Sequence, residues 1–211
     1  MGDIGCHSLD DVFRALKLGA PESVQAASTR GNQDSFPLGS MVTYQFPARD
    51  ASVQSHNVHV AGMSGAAAGG VAMPACKLVW YDGGLRPARP ENLPDGVMMG
   101  DNGRLFVGDN GFILNQSVYP EARAKVAAEI GSSIPKSIGH YQEFLEACKG
   151  GKPAGSNFEF AGPLAEAVLL GNVALRVQLR EDLTLRPLRW DPKSLSMTNL
   201  EEANQFILGV S

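Results

Sequence analysis

The chain has 211 residues, 44% hydrophobic and 19% charged, with a formal net charge of −4, a balance that fits one globular domain with a sizeable core. Slight acidity without any Lys/Arg run excludes the electrostatic footprint of a nucleic-acid binder. No apolar run approaches the roughly 20 residues a membrane helix needs, and the opening residues lack the charged and apolar regions of a signal peptide.

The sequence opens Met-Gly-Asp-Ile-Gly-Cys-His, and apolar residues then recur at Leu9, Val12, Phe13, Leu16 and Leu18. That spacing predicts a helix, stopped by Gly19 ahead of Pro21. Residues 23–28 (SVQAAS) and 41–46 (MVTYQF) read as strands. From 47 to 75 the chain turns rich in Gly, Ala and Ser, the composition of a surface loop or insertion. Residues 76–81 (CKLVWY) form a third strand, followed by a Pro-rich excursion over 83–100. Residues 104–107 and 112–114 flank Gly-Asp-Asn-Gly (108–111), a strong hairpin signal.

Residues 122–130 predict a short helix. Residues 139–148 predict another, with Tyr141, Phe144, Leu145 and Cys148 on one stripe and Gly150-Gly151 ending it. The longest helix is expected over 163–179, with Pro163 in its first turn and apolar residues around much of its circumference, hence buried. Asn157 and Glu166 flank its start in structural, capping roles. Residues 185–190 read as a closing strand and 200–208 as a last helical turn or two, capped by Thr198 or Asn199. Strands joined by hairpins and long loops, with helices towards the two ends of the chain, predict an α+β fold with an open, largely antiparallel sheet and helices packed on one face. No G-x-G-x-x-G follows a strand, so the chain carries no dinucleotide-binding fingerprint.

Asp3 and His7 are the leading chemical candidates. If the helix starts at or just after Asp3, residues four apart stack on one face of its first turn. A carboxylate there orients the imidazole and supports its protonated form, which makes a general base. The pair also reads as a plain N-cap with a packed histidine. Trp80, Tyr81 and Asp82 end a strand, where aromatic faces and a carboxylate suit a polyol, or serve as sheet and turn residues. His140 lines the same cleft or caps its helix. Cys6, Cys76 and Cys148, an odd number with long spacings, read as reduced, mostly buried thiols. His56 and His59 have no acidic or Cys partner nearby, so no metal site is expected.

Six segments carry a specific resemblance in order: GDIGCHSLDDVFRALKLG, KLVWYDGGLRP, LFVGDNG, GHYQEFLEACKGG, GSNFEFAGPLAEAVLLGNVALR and LRWDPKSLSMTNLEEAN. Together they resemble the bacterial-type C-terminal domain of the Gfo/Idh/MocA oxidoreductases, NAD(P)-dependent dehydrogenases of sugars, inositols and related polyols. The resemblance covers nearly the whole chain outside 47–75. It implies one substrate and oligomerisation domain over 1–211, built on an open sheet with helices on one face. It places the family's D-x-x-x-H motif on Asp3 and His7, with His7 taking the proton of a substrate hydroxyl and Asp3 supporting it. NAD or NADP would belong to a separate Rossmann domain, which these residues lack together with its EKP lysine, so the chain alone is expected to be catalytically incomplete.

The partners implied are a small sugar or polyol and further copies of the chain, paired through the helix-free sheet face, with no nucleic acid and no membrane. Strands such as MVTYQF and CKLVWY look apolar enough to make that face costly to expose. The alternative is a non-catalytic sheet module for oligomerisation or carbohydrate binding. As written the chain reads as cytoplasmic, while an exported, periplasmic parent would carry its signal upstream.

Overall fold

The computed structural model describes residues 1–29, 31–32, 34–49, 72–133, 136–180 and 186–207. Its elements are α1 (Gly5–Leu16), β1 (Ser23–Ser28), β2 (Ser40–Phe46), β3 (Cys76–Tyr81), β4 (Leu105–Gly108), β5 (Gly111–Leu114), β6 (Ser117–Tyr119), α2 (Ala124–Ser133), α3 (His140–Cys148), α4 (Phe158–Gln178), β7 (Leu188–Asp191) and β8 (Ser196–Met197). A 3-10 turn (Glu121–Arg123) precedes α2, and a 3-10 helix (Glu201–Phe206) follows β8. Most of the expected loop over 47–75, including His56 and His59, lies outside the described residues, as do Leu185 and Leu208 at the edges of the two last expected elements.

The fold is α+β. Five strands form an open antiparallel sheet in the order β3-β2-β1-β7-β8. The pleat sends alternate side chains to opposite faces, so Val24, Ala26, Val42, Tyr44, Phe46 and Leu78 enter one core with Leu9, Val12 and Phe13 of α1 and most of α4. Phe13 meets Phe46 edge to face at 5.9 Å. Each large side chain so buried contributes about 1.5–3 kcal/mol. Arg49 and Met73 exchange both backbone hydrogen bonds (2.7 and 2.8 Å) beyond the ends of β2 and β3.

The Gly108–Gly111 turn joins two adjacent antiparallel strands, as its sequence predicts. Those strands belong to a second, three-stranded sheet, β4-β5-β6, with its own small core of Leu93, Phe112 and Leu114. Hairpin chemistry fixes local pairing and leaves open which larger sheet, if any, the hairpin joins.

Several boundaries differ from expectation for identifiable reasons. α1 stops at Lys17, which adopts the left-handed conformation (φ 48°) while Leu18 N–H donates to the Phe13 carbonyl, so Gly19 is not the stop. α4 starts five residues before Pro163, because the Asn157 side chain accepts from the Glu159 and Phe160 amides, and Pro163 lies inside the helix. α4 is also long and apolar enough to span a membrane by length and composition, contrary to the sequence expectation, yet half of that stretch is buried against the sheet. Asn199 does not cap the last turn. It accepts from Arg189 N–H and donates to the Pro187 carbonyl, each at 2.8 Å, completing the edge of β7, while Thr198 also bonds back to Arg189. Cys6 and Cys148 are exposed and Cys76 is half-buried, so the thiols are not mostly buried.

Candidate functional site

Asp3 and His7 sit on the exposed side of the turn that opens the chain. Gly5 N–H donates to Met1 C=O (2.8 Å) and Ser8 N–H to Ile4 C=O (3.0 Å), so the helical ladder runs back to the first residue. Asp3 and His7 therefore lie one turn apart on one face. The N-cap is Ile4, without any side-chain cap, so the capping role for Asp3 is not realised. Among the described residues no hydrogen bond or ion pair joins Asp3 to His7.

The opposite side of the same turn is pressed onto α4. A Cβ on Gly5 would come within 3.1 Å of Val168, and one on Gly2 within 3.2 Å of Asn172 Nδ2. The glycines at 2 and 5 thus let the turn seat closely while Asp3 and His7 stay in solvent. The side-chain oxygen of Asn172, Oδ1, is buried there with no hydrogen-bond partner among the described residues. Tyr44 donates its hydroxyl to the Ala167 carbonyl (2.9 Å) beside Met1 Sδ (3.2 Å), and burial pushes its phenol far above the ordinary tyrosine range.

Arg104, just ahead of β4, fixes the turn from outside. Its Nε donates to the Ser8 carbonyl (2.8 Å), one terminal nitrogen to the His7 carbonyl (3.3 Å), and the other lies 3.2 Å from Asp11. No sequence pattern marks this residue: a lone arginine before a hairpin has no spacing signature.

Trp80, Tyr81 and Asp82 do not form one surface. Trp80 packs against the main core and donates its indole N–H to Asp82 (2.9 Å). Tyr81 lies on the opposite, helix-free face, paired with Met41. The other carboxylate oxygen of Asp82 accepts from Ser40 N–H (2.7 Å) and Ser40 Oγ (2.8 Å), and the Met1 ammonium lies 3.6 Å from the carboxylate. Burial opposes the charge of Asp82, but the bonds from Trp80 and Ser40 and the ammonium outweigh it and hold the carboxyl below the ordinary aspartate range. Both oxygens are engaged, so Asp82 works as a latch across the β2–β3 end. The turn it opens needs Gly83 (φ 64°), where a Cβ would overlap the Leu38 carbonyl.

His140 is the exposed first residue of α3 and rests on Tyr141, ring centroids 4.1 Å apart; it provides no cap. The α3 stripe is uncovered, with Tyr141 78% and Phe144 64% exposed. Glu166 lies well inside α4 and accepts from the Trp190 indole (2.6 Å), so it is a packing partner and not the cap expected from the sequence; Asn157 alone caps the helix. Among the described residues no group of three or more His, Cys, Asp or Glu could hold a metal ion. Among the described residues no strand runs into a glycine-rich helix start. No protein-family model matches the chain, and no curated protein matches it.

Proposed function

We propose that this chain is the substrate-side and assembly half of an NAD(P)-dependent sugar or polyol dehydrogenase of the Gfo/Idh/MocA type, with nucleotide binding left to a separate domain. The observation that carries the reading is the placement of Asp3 and His7: exposed, one turn apart, on a turn held from both sides by α4 and by Arg104. The six ordered segments and the open antiparallel sheet with α1 and α4 on one face support it. In this role the His7 imidazole takes the proton of a bound hydroxyl, and the Asp3 carboxylate orients the ring and favours its charged form. Trp80 and Tyr81 point to opposite faces of the sheet, so they do not line one site together.

The test is turnover in the enzyme that carries this domain behind its nucleotide-binding domain. His7→Ala should lower turnover about 10²–10⁴-fold with cofactor affinity nearly unchanged, and Asp3→Asn should lower it less. Near-normal turnover with only a lower melting temperature in both variants would make the pair structural. The isolated 211 residues should bind neither NAD nor NADP in calorimetry.

A second role, self-association through the helix-free face, rests on that face being open. The large side chains invoked for it point the other way: Val42, Tyr44, Phe46, Leu78 and Trp80 belong to the helix side. What the free face offers is a row of Ala27, Met41 and Tyr81, then Gln25, Thr43 and Val79, then the polar row Ser23, Gln45 and Lys77. Pairing would therefore centre on Met41 and Tyr81. Tyr81→Ser should shift the assembly towards monomer in light scattering, and a wild-type monomer at tens of micromolar would exclude this role.

A further inference from the structure

The three-stranded sheet has a core of its own, Leu93, Phe112 and Leu114 flanked by Val97, Met99, Leu105 and Tyr119, separate from the main core. It meets the main body at Phe106 of β4 and at Arg104 just ahead of that strand. Phe106 packs against the main core, and Arg104 spends all three of its guanidinium nitrogens on the first two turns of α1.

We propose that Arg104 is a mechanical coupler through which the position of the β4–β6 sheet sets the rigidity of the α1 turn bearing His7. The geometry gives the reason. The carbonyls of His7 and Ser8 are ladder acceptors in the first turn of α1, and helix ends are where the ladder opens most readily. Arg104 bonds both and adds a charge pair to Asp11, one turn further on, so it braces consecutive turns from a single point. That point is anchored by the Arg104 backbone, whose N–H donates to Asn115 Oδ1 (2.9 Å) and whose carbonyl accepts from Asn115 N–H (2.8 Å) at the β5–β6 turn. A rigid small sheet therefore means a held α1 turn, and a loosened sheet means a released one. The coupling is independent of what His7 does chemically.

Hydrogen exchange on the 211-residue chain tests this as a double-mutant cycle. Arg104→Gln should speed exchange at the amides of Leu9 to Phe13 by roughly tenfold or more. Phe112→Leu, a mild change inside the small core and remote from α1, should speed the same amides in the wild-type background. It should add nothing once Arg104 is Gln. If Phe112→Leu speeds α1 exchange equally with and without Arg104, the coupling does not exist. Phe112→Ala repeats the cycle with a larger loosening, so a null result with Leu is checked against a stronger perturbation. If both leave α1 unchanged while the β4–β6 amides accelerate, the proposal fails.

Discussion

The two sheets use the same alternation and reach opposite degrees of burial. In β2 the inward residues Val42, Tyr44 and Phe46 are fully enclosed because α4 and α1 lie over them. In the hairpin only Phe112 and Leu114 are enclosed, by the Pro-rich segment that supplies Leu93, while Val107 is 75% exposed. A strand pattern states which side chains share a face. It does not state whether anything covers that face. Covering takes a long element arriving from elsewhere in the chain, and α4 supplies it to one sheet alone.

The sharpest way to break this comparison is to remove equal groups from each core. Phe46→Ala should cost about 3–5 kcal/mol in chemical denaturation, because the cavity lies between two rigid layers. Phe112→Ala should cost less, since its thinner surroundings can collapse. Equal losses would mean the small sheet is as tightly enclosed as the large one. Gly171→Ala comes next: a methyl there overlaps the Tyr44 hydroxyl and the Met1 sulfur, so overpacking should cost about 1–3 kcal/mol. An unchanged melting temperature would show that Tyr44 does not seat on α4 as described.

Asp82→Asn probes the edge of the large sheet. It leaves an acceptor for Ser40 but turns a donor towards the Trp80 indole, and the side chain is partly exposed, so about 1 kcal/mol is expected. Its pH dependence has a definite sign. The folded carboxyl titrates below the ordinary aspartate value, so its contribution is complete above that value. It fades as the pH falls through the lower, folded-state value. Denaturation at stepped pH should show wild type and Asn variant converging in acid, and a constant gap down to strongly acid pH would exclude the latch. At the small end, Val107→Thr on the uncovered face should change stability by less than about 0.5 kcal/mol.

Much of the large sheet was legible from residue order. β1, β2 and β3 fall where alternation and β-branched residues place them, and the Asp-Asn pair between two glycines fixes the hairpin. What escaped was non-local or cooperative. The division into two sheets depends on which distant strands pair. The start of α4 depends on Asn157 closing its first turn before Pro163 arrives, and the end of α1 on Lys17 accepting a conformation that Gly usually takes. The candidate site was half legible. Asp3 and His7 share a face because four residues make one turn, a local fact. The separation of Tyr81 from Trp80 follows equally from the period of a strand, so the run WYD contained its own correction. Arg104 could not be read in advance, because its partners lie nearly a hundred residues away in sequence.

The Arg49–Met73 bridge makes the protein modular at that point. Its two residues face each other as a strand pair does, while β2 and β3 keep their register through their own ladder from Met41–Tyr81 to Phe46–Cys76. A short turn can therefore join Arg49 to Met73 without asking anything of the sheet, and a foreign domain whose termini lie close together can be spliced there just as well. The paired backbones hold the two ends side by side, which is the geometry a graft site in the laboratory needs.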